Sequence, residues 1–331
     1  MDEFWAGKKV LVTGAGGFIG SRLVERLAAM GASVRAFVRY TSRADPGLLR
    51  EAPPETLSRL ELIGGDLRDA DAVRQAVRDC EVVFHLGALI SIPYSYVHPA
   101  EVAETNFMGT LNVLMACRDF KVPRLVHTST SEVYGTALTP SIDEAHPLQG
   151  QSPYSASKIG ADKLAESFYC TYELPVVTIR PFNTYGPGQS SRAVIPTTIT
   201  QALAGQVIHL GSLDTIRDFT YVDDTVAGFL RGAEAEGVEG AAINLGTGSA
   251  VTIGELAERI IQKVGTQARV ETDSARMRPT KSEVRRLLSN NALAKERLGW
   301  TPRVSLDEGL DSTIAWIRDH LDRYRVGVYE F

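Results

Sequence analysis

A chain of 331 residues, 44% hydrophobic and 23% charged, is long enough to bury a large core and suggests two lobes. A formal net charge of −5 and a pI of about 5.8 argue against a general binder of nucleic acid or of anionic membranes. No apolar run approaches the roughly 20 residues of a membrane span, and the opening Met1-Asp2-Glu3-Phe4-Trp5 lacks the basic region of a signal peptide. Cys80, Cys117 and Cys170 are widely spaced, without metal-like pairing, and read as buried thiols in a reducing compartment. The expectation is a cytoplasmic protein without a metal.

Lys8 to Val12 is a short apolar run, followed by Thr13-Gly14-Ala15-Gly16-Gly17-Phe18-Ile19-Gly20. Ile19, Leu23 and Leu27 then recur at helical spacing as far as Met30, Gly31 offers a C-cap, and 33–38 reads as a returning strand. This is a βαβ unit. Gly14, Gly17 and Gly20 let the backbone, with Phe18 and Ile19, approach a pyrophosphate on the helix N-terminus. The spacing Gly14-x-x-Gly17-x-x-Gly20 departs from the commoner G-x-G-x-x-G, and a tight turn with close packing is the plainer alternative. An acid at the end of the second strand would hold a ribose 2′-hydroxyl, whereas arginine accommodates a 2′-phosphate. Val38 and then Arg39 stand there, with Ser42 and Arg43 behind. That favours NADP over NAD, unless Arg39 stacks on adenine and Arg43 is solvated.

A third strand is expected over 60–63, and Asp66 in Gly65-Asp66-Leu67 either meets the adenine amine or caps the next helix. A fourth runs over 82–86, with Leu86, Gly87 and Ala88 leaving room for a cofactor. Ser91-Ile92-Pro93-Tyr94 reads as a loop over a sugar, offering Ser91 and Tyr94. Within a long helix over 101–118, Asn106 is either a buried hydrogen-bonding residue that bends the helix or a plain cap.

Leu125 and Val126 read as a fifth, buried strand that leads into Thr128-Ser129-Thr130-Ser131-Glu132-Val133-Tyr134-Gly135. Pro153 suits a first helical position, and Tyr154 and Lys158 then share a helical face. A free phenol titrates near pH 10, but an adjacent ammonium favours the phenolate, a base for a hydroxyl proton. Thr130 can hydrogen-bond the same oxygen. A bare Tyr-x-x-x-Lys is most often a surface pair; its place after a Ser/Thr-rich strand end, in a chain with a glycine-rich start, gives it weight. Helix continues to about Tyr172, and a sixth strand over 176–179 ends in Arg180-Pro181-Phe182-Asn183-Thr184-Tyr185-Gly186-Pro187-Gly188.

Strands alternating with helices imply an α/β, Rossmann-type doubly wound parallel sheet with its ligand at the strand C-terminal ends. After this the rhythm breaks: a helix over 193–205, an extended 217–221, a strand over 242–245, a polar loop over 276–283 and helices over 291–298 and 306–324. The expected division is a dinucleotide-binding domain over 1–180, completed by 222–250, and a smaller discontinuous α/β substrate lobe from 181–221 and 251–331. Arg217 and Arg278 are candidates to clamp a second pyrophosphate, surface ion pairs being the alternative.

With the glycine turn, Thr130, Tyr154 and Lys158 in hand, the chain resembles the extended short-chain dehydrogenases/reductases of the NAD-dependent epimerase/dehydratase family, from about Lys8 to Trp316. Thr130-Ser131-Glu132 resembles the strand end of the nucleotide-sugar 4,6-dehydratases. His127 to Gly135, Pro147 to Tyr154, Arg180 to Pro187 and Ser91 to Tyr96 are similar to the dehydratases of legionaminic-acid-type biosynthesis, which act on GDP- or UDP-linked N-acetylglucosamine. Ser131 departs from the glucose 4,6-dehydratases, which carry an aspartic acid there, so the leaving hydroxyl must find its proton elsewhere, Glu132 being one source. Thr-Ser-Glu with Arg39 is also similar to GDP-mannose 4,6-dehydratase, which uses NADP.

The resemblance implies that Tyr154, Lys158 and Thr130 oxidise a sugar at C4 and that Glu132 removes the C5 proton. The cofactor, NADP or alternatively NAD, stays tightly bound. It implies Asn183 and Val194 as substrate contacts beside Ser91, Tyr94, Arg217 and Arg278, and a homodimer through helices 101–118 and 154–172. A UDP-hexose 4-epimerase would ignore Glu132, a UDP-glucuronate decarboxylase shares Thr-Ser-Glu, and a cofactor-binding sensor is the non-enzymatic rival. Glu132 would then cap a loop.

Overall fold

The computed structural model describes residues 2–205 and 207–329. Strands β1 (Lys9–Thr13), β2 (Ser33–Arg39), β3 (Glu61–Gly65), β4 (Val82–His85), β5 (Arg124–Thr128), β6 (Val176–Pro181) and β7 (Ala242–Leu245) form a seven-stranded sheet in the order β7-β6-β5-β4-β1-β2-β3. Every pairing is parallel. The chain winds outward from β1 through β2 and β3, then returns to β4 on β1's other side. The strand order therefore reverses between β1 and β4, where Thr13 stands opposite His85, and such a switch point opens a crevice for ligand.

Both faces of the sheet are covered at its centre, which is why β1, β4 and β6 are buried almost throughout, while the edge strand β3 is largely exposed. Along β1, Val10 and Val12 join a core with Leu23, Leu27, Phe229 and Trp300. Leu11, between them, points into the opposite core with Val83, Leu114, Leu125 and Phe168. That is the period-two alternation of a strand, sorted onto two helical layers. A third core gathers Ile195, Leu256 and Ile314 from helices Val194–Ala204, Ile253–Val264 and Leu306–Asp319, with Tyr185 and Phe219 from the extended segments beside them. Beside it, a small sheet orders Val251–Thr252, Ile216–Arg217 and Arg286–Leu287, bringing Arg217 near the 276–283 loop.

Several local expectations need correction. Ser91 to Tyr94 is not a loop. Ser91 accepts from the Tyr94 N–H at 3.3 Å and caps helix Ile92–Val97, with Pro93 in its first turn; serine followed by an early proline is a helix-start signal. Asp66 is not a cap, since Asp69 caps Ala70–Val77 and accepts from Asp71 and Ala72. The last helix stops at Asp319 and gives way to a 3-10 turn, Leu321–Arg323. Cys80 and Cys117 are buried, but Cys170 is exposed on helix Pro153–Tyr172.

The long helix is interrupted. Between Pro99–Ala103 and Gly109–Asp119 lies a π turn, Glu104–Met108. Asn106 sits in it, 1% exposed, and is the buried hydrogen-bonding residue. Its carboxamide accepts from Leu89 N at 2.8 Å and donates to Leu89 O at 2.9 Å and Ser157 Oγ at 3.0 Å. The wide turn thus ties the segment after β4 to the helix bearing Tyr154. Among the described residues no helix is long and apolar enough to cross a membrane.

Candidate functional site

The crevice begins where β1 ends. Gly14 has φ +70°, and a Cβ on it would lie 2.8 Å from Cα and N of Gly87. The ends of β1 and β4 therefore meet backbone to backbone, locked by Thr13 Oγ1, which accepts from Gly87 N at 3.1 Å and bonds His85 Nδ1 at 2.8 Å. Any Cβ on Gly20 would run into the Gly14 carbonyl, so the next helix is seated directly on the turn. That helix, Phe18–Ala29, starts at Gly17 with no side-chain cap and no acid in its first turn. Its leading N–H groups and dipole suit a pyrophosphate. These residues fit a dinucleotide cofactor.

At the far side of the crevice, Arg39 ends β2 and lies 3.5 Å from Glu101, whose other oxygen accepts from Tyr94 Oη at 2.5 Å. Asp66, just past β3, is paired with Arg68 at 2.7 Å, which holds its carboxylate down at about 2. Leu67 is buried, Leu86 and Ala88 are half-buried, and Ser42 and Arg43 are exposed on the loop after β2. Tyr94 is therefore tied through Glu101 to the Arg39 side, while its ring packs, like that of Tyr96, against the cluster that holds Tyr154. Two residues on along the same helix, Tyr96 points about 200° away and its hydroxyl meets Ser282 Oγ at 2.7 Å. Tyr96 is the residue that sequence reasoning should have singled out.

The catalytic candidates converge at the end of β5. Thr130 has extended backbone, accepts from Glu132 N at 3.2 Å, and so starts the 3-10 turn Ser131–Tyr134 in which Ser131 is buried. Ser152 and Ser155 form a reciprocal capping box that launches helix Pro153–Tyr172. On it, Tyr154 is 6% exposed, packs with Ile92 and Val102, and lies close enough to Thr130 for its hydroxyl to act on the phenol. Lys158, one turn on, donates from Nζ to Thr128 O at 2.7 Å.

This corrects the expected electrostatics. Burial holds the Tyr154 phenol above its ordinary value, with Thr130 pulling the other way and the Glu132 and Asp162 carboxylates adding to the rise. Burial also draws the Lys158 ammonium down to about 8, opposed by Asp162. At Lys158 desolvation outweighs the neighbouring Asp162 charge because the group is enclosed, whereas at Tyr154 burial and the two carboxylates act in the same direction.

Opposite Tyr154 stands the substrate-side cluster. Glu132 Oε1 lies 3.9 Å from Arg278 Nη1, which is equally 3.9 Å from Glu283, and Arg217 Nη2 lies 3.5 Å from the same Glu283 oxygen. Arg217 is 6% exposed, so a surface ion pair does not describe it. Arg278 Nη1 is buried without a hydrogen-bond partner among the described residues. The two guanidiniums converge beside two glutamates at separations of 3.5 to 3.9 Å, and the buried Arg278 Nη1 is a donor available to a diphosphate. Asn183 donates to Asp218 O at 3.0 Å, and Val194 heads its helix against the third core.

Beneath Lys158 lies a buried network that sequence reasoning missed. Asp162 lies 3.1 Å from His127 Nε2, accepts from Ser129 Oγ at 2.8 Å and from Arg180 Nε at 3.1 Å. Arg180 donates onward to Tyr134 Oη at 2.8 Å. Asp162 one helical turn after Lys158 was the available signal.

Comparison with known proteins agrees with this geometry. The family described as GDP-mannose 4,6 dehydratase matches residues 11–313. The chain is 35% identical to a UDP-glucose 4-epimerase of Mycolicibacterium smegmatis, covering 94% of this chain and 99% of that one. It is 33% identical to a dTDP-glucose 4,6-dehydratase of Actinoplanes, covering 94% and 98%. Among solved structures, DesIV, a dTDP-glucose 4,6-dehydratase from Streptomyces venezuelae with NAD and TYD bound, superposes with a TM-score of 0.85 at 31% identity, covering 96% and 99%. MoeE5 in complex with UDP-glucuronic acid and NAD gives 0.84 at 33%, covering 94% and 99%. The chain belongs to the GDP-mannose 4,6 dehydratase family, within the extended short-chain dehydrogenases/reductases.

Proposed function

We propose that the chain is a nucleotide-sugar 4,6-dehydratase that turns a nucleoside-diphosphate hexose into its 4-keto-6-deoxy product. The observation that carries this is Glu132, a carboxylate close enough to bear on the Tyr154 phenol and set 3.9 Å from Arg278. The nicotinamide supplies a hydride acceptor and, when oxidised, a positive charge that favours phenolate. Tyr154, held by Thr130, takes the 4-hydroxyl proton as hydride leaves C4. The resulting ketone acidifies C5–H, and Glu132 removes that proton. Ser131 offers no acid, so Glu132 passes the proton to the departing C6 hydroxyl, which leaves as water. Hydride then ends on C6 while C5 takes up a proton from solvent and Tyr154 releases the one it took, so no net oxidation occurs and the cofactor stays in place.

The segments around Ser91, His127, Pro147 and Arg180 favour GDP- or UDP-N-acetylglucosamine as substrate. The named relatives add dTDP- and UDP-glucose to the assay panel. Arg39 favours NADP, while the Glu101 carboxylate beside it and the NAD held by DesIV favour NAD. Met108, Met115, Tyr169 and Tyr172 stand exposed on the two helices of the expected homodimer. Incubation with each sugar nucleotide and mass analysis of the product tests the reading: loss of one water supports it, unchanged mass with every sugar refutes it. A 4-epimerase is the second reading, favoured by Ser131 and by the Mycolicibacterium relative.

A further inference from the structure

The chain beyond its closing helix returns to the substrate-side arginines. Its root is pinned: Arg323 pairs with Glu51 at 2.8 Å, and Tyr324 Oη donates to Gln189 O at 2.8 Å. Val328 N then donates to Arg325 O at 3.2 Å, closing a turn in which Gly327 has φ +74°, a conformation glycine adopts without strain. The Gly327 carbonyl accepts from Arg276 Nη2 at 3.1 Å, and the Tyr329 ring lies 5.0 Å from the same guanidinium. Asp273 pairs with Arg276 at 3.3 Å. Arg276 is thus clasped by the strap at the base of the loop that carries Arg278 two residues later. Tyr329 also comes close enough to Arg278 and Tyr96 for their charges to act on its phenol. Tyr96 in turn meets Ser282 on that loop.

We propose that the 325–329 strap forms one wall of the nucleotide-sugar site and that the Tyr329 phenol donates a hydrogen bond to the substrate diphosphate held by Arg278. This rests on the reading of Arg217 and Arg278 as the diphosphate clamp. A phenol is a neutral donor that adds to phosphate recognition without bringing another charge into an enclosed pair of guanidiniums. Through Arg276 the strap also fixes the loop on which Arg278 rides.

The test compares the full chain with Tyr329→Phe, Tyr329→Ala and a deletion from Val326 onward. UDP, GDP and dTDP are titrated calorimetrically, NAD binding and melting temperature serve as controls, and KM and kcat are measured on the sugar that turns over. The nucleoside diphosphate that the full chain binds should bind Tyr329→Phe, Tyr329→Ala and the deletion each at least about tenfold more weakly, as expected for a hydrogen bond to a charged group. KM should rise in step, with kcat, NAD affinity and melting temperature held. Equal diphosphate affinity in all four proteins, no binding by the full chain, or a loss confined to kcat overturns the proposal. Weaker binding by the deletion with no water lost from any sugar keeps the strap and removes the dehydratase reading; water loss with unchanged binding does the reverse.

Discussion

Tyr154 and Glu132 divide the chemistry, and each has its own signature when removed. Tyr154→Phe should lower turnover by about 10² to 10⁴, the range of one general acid–base group, with cofactor still bound. Glu132→Gln should leave oxidation intact and block elimination, so absorbance of reduced nicotinamide builds up while the sugar is held as its 4-ketone, lighter by two hydrogens, with no water lost; full dehydratase turnover in this variant would remove Glu132 from the mechanism. Lys158 carries a pH signature. Its amine titrates at about 8 in the fold against 10.5 ordinarily. Between those values the unfolded chain holds a proton that the native chain has released, so stability rises with pH across that window. Lys158→Met lacks this gain. Its unfolding free energy relative to the parent should fall by about 3 kcal/mol from pH 8 to pH 10.5, read by denaturant melts at each pH. Thr130, Tyr154 and Lys158 were legible because they lie within one strand end and one helical turn. The His127, Asp162 and Arg180 network was not, since it joins two strands and a helix that only the folded sheet brings together.

At the scale of elements, the glycine turn and its helix could be read because sterics act locally there: Gly14 and Gly20 have no room for a side chain. Caps were harder. Asp66 and Asp69 carry the same chemistry three residues apart, and only the helix start at Ala70 decides between them. Reading Ser91 to Tyr94 as a loop also hid Tyr96, because helical rotation sets which tyrosine meets Ser282. The π turn shows where one polar residue organises an element. Asn106→Ala would orphan both backbone groups of Leu89, costing about 3 kcal/mol at the usual penalty for buried unpaired groups. A drop in the urea midpoint at unchanged slope would record it; an unchanged midpoint would mean that the helix path does not depend on this residue.

For the whole molecule, the doubly wound sheet follows from seven apolar segments separated by amphipathic helices, a pattern with few topological solutions. The region around Arg217 follows no such pattern. Its strands are two residues long, Ile216–Arg217 and Arg286–Leu287, and are held by chain segments far apart in sequence. Nothing local announces them, yet they set Arg217 beside Glu283. The account as a whole claims that one hydride leaves C4 and settles on C6 while Glu132 drives out water between. Substrate carrying deuterium at C4 tests this most directly. The account predicts a product lighter by one water with the deuterium at C6; deuterium returned to C4 in a sugar of unchanged mass would contradict it.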